Sequence, residues 1–221
     1  MFLLWGWLEK SSHSFHFAPQ SGGMFEATKF ARSSEVSRTT ISNYLSVLEA
    51  TFVAHVVRPF TKHRPTEIVA APKVYGFDTG FVCCHRGWQH LRQGDMGQLW
   101  EHFVLNEIQG VIQARTIRYW RDKRGHEVDF VYSKRGQPPA AIECKWSADE
   151  FDPSNLQAFR RQYPAGKNCA VAKDVTRGYR RRYGDIEVQF LSLCALLAEP
   201  SSVTQTHPRV LSSARSLATL P

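Results

Sequence analysis

The sequence of 221 residues has no Gly-x-x-x-x-Gly-Lys-Ser/Thr stretch, so it offers no loop that cradles nucleotide phosphates, and ATP hydrolysis cannot be assigned to it. Cysteine is scarce: Cys83, Cys84, Cys144, Cys169 and Cys194 are the five present. Their number is odd, and none lies in a Cys-x-x-Cys pair or near a histidine at zinc spacing, which argues against both a disulfide framework and a structural zinc site. Bonding Cys83 to its neighbour Cys84 would strain the ring they close. A reduced, cytoplasmic compartment fits this usage. Long hydrophobic runs are missing as well. The apolar start, Met1 to Leu8, is too short to span a bilayer and lacks the basic lead-in and small-residue cleavage site of a signal peptide. It reads as a helix cut from something larger, with Leu3, Leu4, Trp7 and Leu8 at helical spacing, and no membrane partner is expected. Repeats are absent too.

What is present is ordinary globular material, 43% hydrophobic and 22% charged, enough to bury a real core. A formal charge of +8 favours an anionic partner, with DNA the first to consider.

Two modules and a tail are predicted: residues 1–82, residues 96–198 and a disordered Ser/Thr/Pro-rich stretch over 199–221. In the first, a short helix from Phe25 to Arg32 is followed by a polar break. Ser37 then caps a second helix over Arg38 to Ala50, whose Ile41, Tyr44, Leu45 and Leu48 share a face. This is helix-turn-helix patterning. The β-rich run 52–60, a basic tip at 61–65 and a second run at 66–70 read as a hairpin wing. Another strand is expected at 73–77, a turn at Asp78-Thr79-Gly80 and a linker over 83–95. The second module reads as a helix over 97–114, strands over 116–120, 127–132 and 140–146, a helix over 153–163, strands over 168–172 and 186–191, and a helix over 193–198. The fold class is thus α/β (α+β), with an N-terminal winged helix-turn-helix.

Chemistry concentrates on two successive strands, Glu127-Val-Asp129-Phe-Val and Ile142-Glu143-Cys-Lys145. Alternation along a strand puts Glu143 and Lys145 on one face, and Glu127 with Asp129 on one face. If these strands pair as a hairpin, Asp129 and Glu143 meet. Two carboxylates a few ångströms apart repel by roughly 4 kcal/mol at an effective dielectric of about 20, so they either raise one pKa or hold a cation. Hard oxygen ligands favour Mg²⁺ or Mn²⁺. Such an ion polarises a phosphodiester and acidifies bound water, and a lysine two residues on can orient that water.

Asp129, thirteen intervening residues, then Glu143-Cys144-Lys145 resembles the PD-(D/E)xK nuclease signature, with Val128 where the motif has proline. Glu101, in Gly97-Gln-Leu-Trp-Glu101, matches the acidic residue often found on that superfamily's opening helix. The resemblance implies a restriction-endonuclease-like αβββαβ domain. It assigns metal ligation to Asp129 and Glu143, water positioning to Lys145 and an assisting role to Glu101. Over roughly residues 20–165 the chain is also similar to the C-terminal half of a prokaryotic AAA-type ATPase family. That likeness rests on Ser37-Arg-Thr-Thr-Ile-Ser-Asn-Tyr-Leu-Ser-Val-Leu-Glu49, Pro72-Lys-Val-Tyr-Gly-Phe-Asp-Thr-Gly80, Trp120-Arg-Asp-Lys and Glu127-Val-Asp-Phe-Val. It implies an ATPase domain or subunit supplied in trans.

Arg38, Thr39 and Asn43 start the second helix, where a recognition helix meets phosphates and bases. Arg177-Gly-Tyr-Arg180-Arg181-Arg182 is a basic loop suited to a nucleic-acid backbone, and Arg160 and Arg161 offer similar contacts. Glu127 reads as a solvent-facing neighbour of Asp129, and His102 and His126 as incidental. Trp100 and Trp120 read as core. Two other readings remain: a non-catalytic DNA- or protein-binding module of an ATPase system, and a regulator using the winged helix alone, which leaves Asp129, Glu143 and Lys145 unexplained.

Overall fold

The computed structural model describes residues 21–61, 71–112, 117–134 and 136–198. After a two-residue strand, β1 (Gly23–Met24), come helices α1 (Ala27–Ser33) and α2 (Arg38–Ala50). The second begins where its cap dictates, since the Ser37 hydroxyl accepts the Thr40 N–H at 3.0 Å. Strands β2 (Ala54–Pro59) and β3 (Lys73–Gly76) follow, then helices α3 (Thr79–His85) and α4 (Gln93–Ile112). Next are β4 (Ile117–Arg121), β5 (Glu127–Tyr132) and β6 (Ala140–Lys145), a short 3-10 turn (Ala148–Glu150) and α5 (Ser154–Gln162). The described chain closes with β7 (Asn168–Ala172), β8 (Tyr179–Tyr183), β9 (Ile186–Leu191) and α6 (Leu193–Ala198).

All the described strands belong to one mixed nine-stranded sheet, ordered β1-β3-β2-β4-β5-β6-β7-β9-β8. The β2–β3 hairpin joins the later strands through a parallel pairing of β2 with β4, Arg58 opposite Arg118 and Pro59 opposite Tyr119. Pairs β4–β5 and β5–β6 are antiparallel; β6–β7 and β7–β9 are parallel. The fold is therefore mixed α/β, with six α-helices among the described residues.

Alternating side chains build a core on each face. Phe130, Ile142, Cys144 and Val171 pack with Leu105 and Ile108 of α4 and Leu196 of α6. Val128, Val131, Ala141 and Ala170 pack with Leu156 and Phe159 of α5. Burying a side chain such as Phe159 contributes about 1.5–3 kcal/mol. A smaller cluster holds α1 and α2 against β2 and β3 through Phe25, Phe30, Ile41, Ala54 and Val74. The early strands also bend back over the later ones, for the rings of Tyr75 and Phe130 lie 6.2 Å apart.

Several expectations need correction. Asp78-Thr79-Gly80 is not a turn: the Asp78 carboxylate accepts the Phe81 N–H at 2.9 Å and starts α3, so helix occupies the beginning and end of the expected linker. Residues 62–70, which include the wing's expected second strand, and the stretches 1–20 and 199–221 lie outside the described residues. The partner of β2 is Lys73–Gly76. The Arg180–Arg182 segment is not a loop but edge strand β8, anchored because Tyr179 stacks on Phe190 at 4.7 Å. Arg160 is no surface contact. Its guanidinium is buried and donates to the carbonyls of Pro139, Tyr163, Ala165 and Lys167 and to Asn168, and burial draws its pKa down to about 10.

Candidate functional site

Asp129 sits at an irregularity in β5. Val131 pairs with Arg118 but Val128 pairs with Trp120, so β5 carries one residue more than β4 across this stretch. A bulge of this kind re-aims a side chain. The Asp129 Oδ2 accepts the backbone N–H of Cys144 at 2.8 Å, which ties β5 to β6 beside Glu143.

Glu143 is fully buried, yet neither carboxylate oxygen has a hydrogen-bond partner. The Lys145 ammonium comes within 3.1 Å of Oε2 without the alignment of a hydrogen bond. Alternation explains the pairing: Ile142 and Cys144 face the α4 core, which leaves Glu143 and Lys145 together on the opposite side. Burial pushes the Glu143 carboxyl well above its ordinary range, and the charges of Asp129 and Glu101 push the same way. Burial and then Glu101 raise the Asp129 carboxyl to about 7, against the pull of Lys73 and Lys145. Lys145 is held in its charged form: burial disfavours the ammonium, but Glu143 and Asp129 outweigh it.

Glu101 enters from α4. Its Oε1 accepts from the Tyr75 hydroxyl at 2.5 Å and from Lys73 Nζ at 3.2 Å. Lys73 is nearly buried and also ion-pairs Glu127, which in turn lies 3.5 Å from Arg121. Glu127 is thus a partner of Lys73, not a solvent-facing bystander. Sequence reasoning missed Lys73 and Tyr75. The available signal was a lone lysine inside the buried run Lys73–Gly76, whose charge has to find acids.

The remaining candidates lie elsewhere in the fold. Arg38, Thr39 and Asn43 are exposed at the start of α2. Arg180 reaches Glu187 at 3.4 Å, Arg181 lies over the Tyr183 ring at 5.3 Å, and Arg182 donates to the Gly184 carbonyl; all three are exposed. His102 is structural rather than incidental: it is buried, with Nε2 2.6 Å from the Gly76 carbonyl. Trp120 is core, and the indole of Trp100 donates to the Val171 carbonyl.

Residues 96–194 match the family described as Domain of unknown function (DUF4143). Residues 16–92 match a second, Domain of unknown function (DUF8612). Uncharacterized proteins of Mycobacterium bovis and Mycobacterium tuberculosis are each 28% identical over 121 residues, 53% of this chain and 27% of theirs. The chain thus spans about a quarter of the length of these curated relatives. A solved structure, the refined half-complex from the tetradecameric assembly of Thermococcus gammatolerans McrB AAA+ hexamers with bound McrC, is similar over 80% of this chain and 65% of that one, at 10% identity and a TM-score of 0.33. No helix among the described residues is long and apolar enough to cross a membrane.

Proposed function

We propose that this chain is a DNA-directed protein with a Mg²⁺-dependent, phosphodiester-cleaving site of the PD-(D/E)xK kind, set behind a winged-helix-like N-terminal part. The observation that carries the proposal is the buried Glu143 carboxylate, which has no hydrogen bond although Asp129 and Lys145 act on it. A buried carboxylate that has an ion pair but no aligned hydrogen bond keeps unfilled lone pairs, which is costly and which a bound group could complete. Charge fits too: Glu101, Glu127, Asp129 and Glu143 face Lys73, Lys145 and, at Glu127, Arg121, which leaves the acids in excess and a bound cation favoured. Among the described residues no three His, Cys, Asp or Glu side chains already form a cage. Asp129 and Glu143 would therefore hold the ion with the Cys144 main-chain carbonyl and water, a donor set that suits Mg²⁺.

When bound, the ion would polarise the phosphodiester and acidify a water. Lys145 would orient the attacking water and offset charge developing on the phosphoryl oxygens. Glu101, fixed by Tyr75 and Lys73, would assist proton transfer. Arg38, Thr39 and Asn43 on α2 and Arg180, Arg181 and Arg182 on β8 would hold the DNA backbone. An ATPase domain or subunit would act in trans. Incubation with plasmid and branched DNA plus Mn²⁺ tests the proposal: cleavage by wild type is expected, with a drop of at least a hundredfold in Lys145→Ala. Equal behaviour of the two refutes it.

One observation favours a second reading. Lys73 already pairs Glu101 and Glu127 internally, as in a site that has become structural. A non-catalytic DNA- or protein-binding accessory module would then show salt-sensitive DNA binding that survives Asp129→Ala, with no cleavage.

A further inference from the structure

The seam where β2 meets β4 carries a pair of arginines. The two strands run parallel there with Arg58 opposite Arg118, and such register partners stand about 5 Å apart with side chains on the same face. Their neighbours fix which face. Val57, Ile117 and Tyr119 pack on the α4 side, so Arg58 and Arg118 turn to the other one, as Glu143 and Lys145 do. On that side Glu49 of α2 accepts from both terminal nitrogens of Arg58 at 2.7 Å. Phe60, just beyond β2, packs there on Phe159 of α5 and on Tyr163. One acid serves both cations. The Glu49 side chain is 8% exposed and is committed to Arg58, whose own side chain is 46% exposed. Among the described residues, the charges acting on this pair are their own and that of Glu49. Arg118 forms no hydrogen bond among them; burial, and then repulsion by Arg58, draw its guanidinium below its ordinary pKa against the pull of Glu49. The pair therefore keeps one positive charge in excess and N–H donors to spare.

We infer that Arg58 and Arg118 together hold one backbone phosphate of a nucleic acid, at a position separate from the start of α2 and from β8. The inference rests on the DNA-directed reading above and deepens it by one phosphate contact. A phosphate supplies what the pair lacks, an anion with several acceptor oxygens that two planar guanidiniums can share. Place supports this as well as charge. β5 alone separates β4 from β6 in the sheet order, so Arg118 stands two strand spacings, about 10 Å, from the strand that carries Glu143 and Lys145. All four side chains turn to the face opposite α4. A DNA strand gripped at Arg58 and Arg118 is thus held on the side of the sheet that carries those residues. Arg58 and Arg118 are positioning residues: they fix the backbone without touching the reacting atoms.

Fluorescence anisotropy of a labelled DNA duplex, titrated with a chelator present at several salt concentrations, tests this without any cleavage. In Arg118→Gln the affinity at low salt is expected to fall about fivefold, and the slope of log affinity against log salt by about one. Arg118→Lys keeps the charge and loses the fork, so it is expected to keep the wild-type slope. Glu49→Gln removes the shared acid and is expected to tighten binding about threefold. A purely structural role would weaken binding in both Arg118→Gln and Glu49→Gln, so the opposite signs are the signature. No duplex bound by wild type at low salt overturns the DNA-directed reading and this inference together. Binding by wild type with an unchanged slope in Arg118→Gln overturns this inference alone. A slope in Arg118→Lys as low as that of Arg118→Gln also overturns it. If Arg118→Gln does not fold, Glu49→Gln decides: tighter binding supports the inference, and unchanged or weaker binding overturns it.

Discussion

Replacing Glu143 with glutamine should make the metal-free protein more stable while removing its response to Mg²⁺. Glu143 is fully buried, both its oxygens lack hydrogen bonds, and its carboxyl is pushed up by burial and by Asp129. A buried polar group left unsatisfied costs about 1–3 kcal/mol, and more if it is charged. Glutamine keeps the shape and removes the charge. Against this gain stands the removal of the Lys145 partner. Glu143 is buried, but the Lys145 side chain is 24% exposed and keeps some water, and Asp129 remains to offset its charge, so losing this partner costs about 1 kcal/mol. The balance is a stabilisation of about 1–2 kcal/mol, or about 2–8 °C in Tm for a chain of this size. Thermal unfolding with a chelator present, followed by circular dichroism, reads it directly.

Adding Mg²⁺ should reverse the order. At a hundred times Kd, binding to the folded state alone adds about 2.7 kcal/mol to wild type and nothing to the variant. Wild type then melts above Glu143→Gln. A variant that is less stable than wild type by more than about 1 kcal/mol without metal would refute the reasoning, because the orphaned carboxylate would then be an asset to the fold. So would a wild-type Tm that ignores Mg²⁺ at millimolar concentration.

Asp129 gives the pH dependence its sign. Its carboxyl is raised to about 7, so folding without metal takes up a proton between the unfolded value of about 4 and about 7. Stability from this group is complete below about pH 4 and is lost as pH rises to about 7, and Mg²⁺ affinity climbs over the same window. Chelated melts at pH 5 and 8 check this, and Asp129→Asn should flatten the slope. Arg160→Met removes the guanidinium that serves four backbone carbonyls and should cost about 3–5 kcal/mol by denaturant titration. Gly166→Ala should also destabilise, by at least about 2 kcal/mol. Its φ of +124° suits glycine, and an added Cβ would meet the Pro139 carbonyl oxygen at 2.0 Å. Substituting Arg180, Arg181 and Arg182 together with alanine should lower the slope of log affinity for DNA against log salt by about one for each phosphate no longer neutralised, read by fluorescence anisotropy.

Much of this architecture was legible in residue patterns. The limits of α2 follow from the Ser37 cap and the 3-4 spacing of Ile41, Leu45 and Leu48. The strands β5, β6, β7 and β9 follow from short apolar runs between Gly- and Pro-bearing turns. Where reading failed, a tertiary contact had replaced the local signal. β8 shows no apolar alternation beyond Tyr179 and Tyr183, and it is strand because β9 offers a free edge and Phe190 a ring to stack on. Arg160 stands four residues after Leu156 and next to Phe159, which places it on the buried side of α5, a position that composition alone reads as solvent. The pairing of Glu143 with Lys145 could be written down from strand alternation, whereas Asp129 sits where a bulge breaks that alternation. The cation opposite them could not, because Lys73 is distant in sequence and in sheet order.

That distance bears on how the chain is to be divided. Lys73 and Tyr75 lie in the stretch matched by one family, 16–92, whereas Glu101, Glu127, Asp129, Glu143 and Lys145 lie in the other, 96–194. The salt bridges of Lys73 to Glu101 and Glu127, the Tyr75–Glu101 hydrogen bond and the β2–β4 pairing all cross between them. Separating the two stretches would expose one edge of β4 to water and leave Glu101 and Glu127 without their buried counter-charge. Lys73, only 5% exposed, would lose both of its acids, and a buried ammonium stripped of its partners costs more than a broken ion pair at the surface. The two matched stretches therefore act as halves of one electrostatic unit. Selection on a charge in either half is selection on the other, and the carboxylate cluster cannot be understood from the Asp129 to Lys145 segment alone.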